Sequence, residues 1–519
     1  MKSIIKKSFI SFFAGIALLL GITTSSCTDL TEIVYDQIPS SDFPQTQAQI
    51  NSIIGPVYKT LKSVWPGDMF CLIEQSADMA VTPTRIGGDW WDGGAHMEVG
   101  MHTWSDRNNL IRNSWNSCVN GIGTCNRVLM VIEESNMEPE LKAQTLGEIR
   151  GVRAYWYYML IDLFGNAPLS YDYKDLTVPG ITSRADLYTF VMNELNAIKD
   201  VVRSDVTAAS YGKFTRGAAY TLLAKMHLNA EVWRGTPNWQ GVIDACDEVM
   251  KLDYIIEPDW KINFAVKNDA SREIILPVMF SAADGGNQLY QRTLHYLAPP
   301  ALGFRLGTWN GMSANSEYVK EFDVEDRRLE WSFLIGPLHD PVTGEVIITA
   351  HNRPLIHTVD FNIIEGTERY LSWGDVHQEE GARVNKWEFE QGLANTDQNN
   401  HFPIFRLADV YLMKAEALLR LGQNNAEATR LINVIRERGF GHPDKNYTSA
   451  TLEDLRLERR FELAWECHSR QDQIRFGTFL NPTMWRQPSE EYRKLFPIPY
   501  TAWQANNRLT QNPGYPAFQ

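Results

Sequence analysis

Cysteine is scarce in this chain of 519 residues, with six in all and no CxxC pair. After Cys27 the remaining Cys71, Cys118, Cys125, Cys246 and Cys467 are odd in number and scattered. That pattern excludes a disulfide framework and a cysteine zinc site. Cys118, Cys125 and Cys246 fall in helix-like segments and read as small buried hydrophobes. There is also no GxSxG elbow, no P-loop and no HExxH, so the common signatures of serine hydrolases, nucleotide triphosphatases and zinc peptidases are absent. The eleven histidines do not cluster at ligand spacing. His295, His351, His357 and His377 are spread over loop-like stretches and read as solvated. Acidic loop residues are plentiful but match no calcium-loop pattern, which leaves calcium binding open; no metal-ligand residues and no cofactor are predicted. Basic residues are outnumbered, 49 against 63 acidic, for a net charge of -14. A surface of that sign repels phosphate backbones and excludes nucleic acid as a partner. Beyond the N-terminus no apolar run is long enough to cross a bilayer.

The N-terminus itself has the layout of an export signal. Lys2, Lys6 and Lys7 form a basic start, and Phe9 to Ile22, FISFFAGIALLLGI, is an almost unbroken apolar run. It is short for a membrane span and suits the hydrophobic region of a signal peptide. The stretch TTSSC then places small residues before Cys27, with Thr24 where an aliphatic residue is more usual. It resembles a bacterial lipoprotein signal, in which residues 1–26 are removed and Cys27 carries the lipid. Residues 27–41 are polar and read as a tether, and 42–519 as a single domain.

Helical periodicity dominates both ends of that domain. Ile149, Val152, Trp156, Met159 and Leu163 recur at steps of three and four in EIRGVRAYWYYMLIDLF. Ala219, Leu222, Leu223, Met226 and Ala230 repeat the pattern in RGAAYTLLAKMHLNA, as do Val410, Met413, Ala417 and Leu421 in DVYLMKAEALLRLG. Each run has a helical neighbour: LYTFVMNELNAIKD, QGVIDACDEVMK and NAEATRLINVIRERG. The last pair is joined by a turn at Gly422-Gln423-Asn424. Small residues on facing helices have the character of tetratricopeptide-like pairs, at a spacing too irregular for a strict repeat. Residues 255–395 differ, with short β-rich runs (EIILPVMF, EVIITA) and turn dipeptides. The prediction is a mainly α fold, with helical pairs packed against a loop-rich half that carries short strands.

Two stretches hold the candidate chemistry. GGDWWDGGAH, residues 87–96, sets Trp90 and Trp91 between glycine pairs, in a chain with 16 tryptophans. Glycine pairs mark surface turns, so one indole is predicted to anchor the loop and the other to face outward. Asp89 and Asp92 flank the pair; they are read as favouring the turn or bonding a ligand hydroxyl, with a glycosidase carboxylate pair as the alternative. The densest charged run is ERRFELAWECHSRQDQIRFG, residues 458–477. Glu458, Glu462 and Glu466 stand four apart, a spacing that repels on a helix unless cations intervene. Arg459, Arg460, Arg470 and Arg475 supply them, which predicts a buried ion network rather than a catalytic site.

The chain resembles the SusD/RagB family of outer-membrane nutrient-uptake lipoproteins of Bacteroidetes. The resemblance runs from CTDLTE through EIRGVRAYWYYMLIDLFGNAPL, FTRGAAYTLLAKMHLNA, PIFRLADVYLMKAEALLRLG, LINVIRERG, ERRFELAWECHSRQDQIRFG, LFPIP and QNPGY, in the family's order. Cys467 stands where a glycine is common, and Gln471 and Gln473 replace residues that are usually apolar. The resemblance implies a lipid-anchored protein of the outer membrane that binds an oligosaccharide or polysaccharide. It implies a SusC-like TonB-dependent transporter as partner, and binding rather than catalysis. By position it implies a glycan cradle from Asp78, Arg85, Asp89, Trp90 and Trp91, together with Tyr290, Tyr296, Trp309 and Asn310. The physical fit is that an indole covers the C–H face of a pyranose while polar groups bond its hydroxyl rim. The alternatives are a glycoside hydrolase and an interaction protein that only docks a transporter or delivers peptide.

Overall fold

The computed structural model describes Pro44 and residues 46–62, 66–304, 307–368, 374–393 and 397–519. The signal segment, Cys27 and the tether lie outside the described residues. The longer helices, in chain order, are α1 (Gln47–Lys62), α2 (Asp68–Ser76), α3 (Asn109–Glu134), α4 (Pro139–Leu163), α5 (Arg184–Ile198), α6 (Arg216–Leu228) and α7 (Trp239–Met250). After a long stretch of short elements come α8 (Leu407–Leu421), α9 (Asn425–Phe440), α10 (Leu452–Glu462) and α11 (Ser469–Phe476). All three periodic runs are helical, in α4, α6 and α8, and their neighbours are α5, α7 and α9. The protein is mostly helical, as predicted.

Local chemistry sets the helix ends. The Asn108 side chain accepts from the amides of Leu110 and Ile111 and so starts α3. Thr451 and Asp454 close a reciprocal capping box on α10. Gly422, at φ 64°, ends α8 in the left-handed conformation that glycine adopts without steric cost, and Asn424 then caps α9. Packing does the rest. The predicted face of α4 is buried, but so is every residue from Gly151 to Leu163. Helices α3, α5 and α6 all pack on α4, so it is a core helix enclosed on all sides. Its neighbours approach closely: a Cβ on Gly121 of α3 would overlap the Trp156 indole. Trp156 is fully buried, and enclosing a side chain of that size contributes about 1.5–3 kcal/mol.

The longest strand pairing ties the loop-rich half to the helices. Strand β1 (Ile274–Val278), from EIILPVMF, runs antiparallel to β2 (Phe402–Arg406), with Val278 opposite Phe402 and Ile274 opposite Arg406. β2 leads directly into α8, so the strand and the helix share one rigid segment. The other ladders among the described residues are two residues long.

The charged run is not one helix. α10 stops at Glu462, and the turn 463–468 holds Trp465 and Cys467 at φ 65° and 63° before α11 begins. Glu462 and Glu466 therefore do not face each other on a helix; Glu466 swings inward from the turn. The network itself is present and buried. Glu462 Oε1 accepts from Arg406 at 2.6 Å, Arg438 at 2.7 Å and the Trp260 indole at 3.0 Å. Glu462 Oε2 accepts from Arg328 at 3.1 Å. Arg406 also reaches Glu273 at 2.8 Å and Glu466 at 2.7 Å. Beside this lies a second cluster in which Arg459 joins Asp409 and Asp472, and Arg475 joins Asp472 and Glu416.

Two predictions follow from the charge balance. Arg406→Met leaves Glu273, Glu462 and Glu466 short of a buried cation and is expected to destabilise the fold by about 3–5 kcal/mol in urea denaturation. Burial pushes the Asp472 carboxyl up, but Arg459 and Arg475 outweigh it and hold the group down at about 2. A carboxyl depressed in the folded state stabilises above its unfolded value near ~4 and loses that contribution as pH falls through its folded value. The melting temperature should therefore drop between about pH 4 and about pH 2, and Asp472→Asn should flatten that part of the profile.

Candidate functional site

The two-residue strands Ala80–Val81 and Ser313–Ala314 pair antiparallel. That pairing sets the loop carrying GGDWWDGGAH against the segment carrying Tyr296 and Trp309. Gly87, Gly88, Gly93 and Gly94 all have φ between 63° and 87°, a range open to glycine and costly to most side chains. Trp90 and Asp92 share the left-handed region, at 61° and 47°. For a bulky residue such as Trp90 that conformation costs on the order of 1–3 kcal/mol and persists only when its surroundings hold it. Here the Trp90 indole N–H donates to the Trp309 carbonyl. Its ring meets His96 edge-on at 5.5 Å and covers Gly311.

Beneath the loops lies Arg85, fully buried and with no carboxylate in direct contact. Its guanidinium donates to the carbonyls of Asn310 (3.2 Å), Gly311 (3.0 Å), Glu380 (2.8 Å) and His377 (3.2 Å), and to Ser313 Oγ (2.8 Å). Burial lowers its pKa to about 10, against the pull of Glu380 and Asp89. Arg383, also buried, donates to Asn310 Oδ1 at 2.9 Å and to the carbonyls of Gln378 and Glu380. These two cations clamp three chain segments together through carbonyl dipoles.

Above the clamp the aromatic rings reach solvent. Tyr296 is 42% exposed and Trp309 is 40% exposed. The Tyr296 hydroxyl donates to the Asp89 carboxylate. The Arg292 guanidinium stands 5.6 Å from the centre of the Trp309 ring and 3.7 Å from Asp68. Trp91 is half-buried and lies over Gly94. Asp92 is exposed beside His96, whose ring burial keeps at a pKa of about 4 and hence neutral at pH 7. Trp90, Tyr296 and Trp309 are thus joined across the two loops as an aromatic platform with Asp89 at its edge, and Trp91 and Asp92 follow on the same loop.

The remaining cradle residues sit elsewhere. Arg85 and Asn310 are brought to the site but buried under it, where they brace the loops and meet no solvent. Tyr290 is only 5% exposed because Phe304 and Phe389 pack on its ring. The Asp78 carboxylate is held by Arg460 at 2.9 Å, away from the platform. Neither indole of the Trp90–Trp91 pair is a core residue; both are half-buried. Two of the histidines read as solvated, His295 and His357, are buried. Sequence reading missed Arg292, Arg383 and Gly311. Only Gly311 gave a local signal, through the turn-forming Asn310-Gly311 pair. Among the described residues no group of histidine, cysteine and acidic side chains could hold a metal ion.

Comparison with known proteins follows the chain at both ends. The family model described as "SusD family" matches residues 309–515, and the one described as "Starch-binding associating with outer membrane" matches residues 35–228. The chain is 27% identical over 413 residues to the starch-binding protein SusD of Bacteroides thetaiotaomicron, covering 72% of this chain and 74% of that protein. It is 22% identical over 530 residues to the SusD-like protein P2 of Formosa agariphila, covering 96% and 98%. Among solved structures, surface glycan-binding protein A from Bacteroides thetaiotaomicron, in complex with laminarihexaose, superposes with a TM-score of 0.72 at 18% identity, covering 90% of this chain and 100% of that one. Surface glycan-binding protein A from Bacteroides fluxus does so with a TM-score of 0.71 at 19% identity, covering 91% and 100%. These likenesses show a common fold.

Gly311 offers a test of the platform's construction. A Cβ there would stand 2.6 Å from Trp90 Cζ2, so Gly311→Ala should displace the indole. The expected result is a red shift in tryptophan emission and a loss of about 1–3 kcal/mol in stability, in an otherwise folded protein.

Proposed function

This chain belongs to the SusD family, and we propose that it is a cell-surface lipoprotein that captures an oligosaccharide or polysaccharide and passes it to a SusC-like TonB-dependent transporter. Lipid attachment at Cys27 would hold it on the outer membrane. The observation that carries the reading is the pair of part-exposed rings, Tyr296 and Trp309, fixed on clamped loops beside Trp90 and Trp91. Flat rings bury the C–H face of a pyranose, and Asp89 and Asp92 accept from its hydroxyls. One such ring contact contributes only about 1–3 kcal/mol, so a useful affinity needs several along a chain. Three aromatic residues joined across the loops, with Trp91 next to one of them in sequence, meet that need, and a clamped site lowers the entropy cost of binding.

The relatives support the same reading. One is named for starch binding, and one fold neighbour is titled as a laminarihexaose complex. We take the protein to be a binder and not an enzyme. Asp89 is already engaged by Tyr296, an arrangement that fits orientation of a ligand better than attack on it. Incubation with polysaccharides should accordingly release no new reducing ends.

The residue assignment is tested by calorimetry with whichever oligosaccharide an affinity-gel screen selects. Trp309→Ala and Tyr296→Ala should each weaken binding by at least about tenfold, or ~1.4 kcal/mol. Tyr290→Phe, at a buried position, should leave affinity within about twofold of the parent. Full affinity in both alanine variants would place the ligand elsewhere.

A further inference from the structure

A groove of about 450 Å³ lies outside the platform, formed by the short helix Trp260–Phe264, the short helix Arg328–Ser332 and the segment Asn385–Phe389. Its volume falls within the ~300–1,000 Å³ of small-ligand pockets. Trp331 and Phe389 give it half-buried apolar walls. Trp331 does not move freely, because Trp260 stacks on it at 5.5 Å and the Arg327 guanidinium stands 4.9 Å from its ring centre. Trp260 is held in turn by the Lys386 ammonium at 4.9 Å, and Lys386 belongs to the buried network through Glu466. The wall is thus anchored to the buried ion network.

The rim is polar and half-used. Asp259 spends one carboxylate oxygen on the Lys261 amide at 3.0 Å, and Glu388 spends one on the Val266 amide at 2.8 Å. In each the second oxygen makes no hydrogen bond among the described residues. Asn385 donates its amide to the Glu330 carbonyl at 2.8 Å. Lys261 is exposed and makes no ion pair among the described residues, with its ammonium 5.3 Å from the Trp331 ring centre. Acceptors outnumber donors, and two carboxylates face one free ammonium.

We propose that this groove is a second saccharide-binding site, taking one or two sugar rings of an uncharged glycan. Hydroxyl groups donate to the free oxygens of Asp259 and Glu388 and accept from Lys261, which can leave the indole for them. Trp331 and Phe389 supply the apolar contact that a sugar ring needs. A phosphate or uronate would meet two carboxylates against Lys261 alone, since the other lysine of the lining, Lys386, is already neutralised by Glu466, and would be repelled. The site does not depend on the platform, but a long chain held at both places would gain avidity from the raised local concentration.

The test uses the full mature chain labelled with 5-fluorotryptophan, with the Trp331 signal in ¹⁹F NMR assigned by its absence in Trp331→Phe. Laminarihexaose, maltoheptaose and xylohexaose are titrated, with trigalacturonate and inorganic phosphate as charged probes. A saturable shift of the Trp331 signal with at least one neutral probe is expected. It should persist when Tyr296→Ala and Trp309→Ala disable the platform. Lys261→Ala with Glu388→Gln should weaken it by at least about fivefold while leaving the platform response intact. Three results overturn the proposal: no Trp331 response to any neutral probe, a response indifferent to the Lys261→Ala/Glu388→Gln pair, or a stronger response to the charged probes. A Trp331 response combined with an unaltered affinity in the platform variants would instead sink the platform reading and leave the groove standing.

Discussion

The structure depends on Glu462 and Arg406 meeting in the core. Glu462 ends one helix, Arg406 ends a strand that becomes the next helix, and both are sealed from water. Three further carboxylates and three further arginines around them come from the helical half and the loop-rich half alike. Buried charges tolerate few arrangements, because each ion that loses its partner carries an uncompensated desolvation penalty. Apolar packing would let the two halves slide; matched guanidinium and carboxylate geometry does not. Long, irregular loops can stay ordered here because they are held by charge at their base.

The platform is ordered on the same principle with different partners. Arg85 and Arg383 are as buried as Arg406 but answer chiefly to carbonyl dipoles instead of carboxylates. A backbone carbonyl cannot be removed by substitution, so apart from the Ser313 hydroxyl and the Asn310 side-chain oxygen the clamp does not depend on the side chains of the loops it holds. The strain at Trp90 is sustained by that rigidity, and its indole N–H bond to Trp309 links the two loops at the surface as well.

The helical half was legible in the sequence because one-sided periodicity survives any packing partner. The enclosure of α4 was less so: a five-residue apolar stripe does not show that Arg153, Tyr155 and Asp162 are buried as well. The glycines of GGDWWDGGAH announced a tight loop, and all four adopt left-handed backbone. What local sequence could not resolve were roles set by distant contacts. Tyr290 and Tyr296 stand six positions apart in one loop, yet only Phe304 and Phe389 decide that the first is sealed and the second open. An arginine in a polar loop looks solvated, and nothing near Arg85 foretells acceptors supplied by residues 310–313 and 377–380. The break after Glu462 was hidden for a different reason: Trp465 and Cys467 hold a glycine-like backbone.

The carbonyl clamp beneath the loops has a consequence for how such a protein diversifies. Since Arg85 and Arg383 hold mostly main-chain carbonyls, with Ser313 and Asn310 the side chains they also engage, the other residues at the loop tips are free to drift while the scaffold below stays as it is. A lineage facing a new polymer could retune recognition by exchanging a few surface rings and acids, with no repacking underneath and no intermediate that fails to fold.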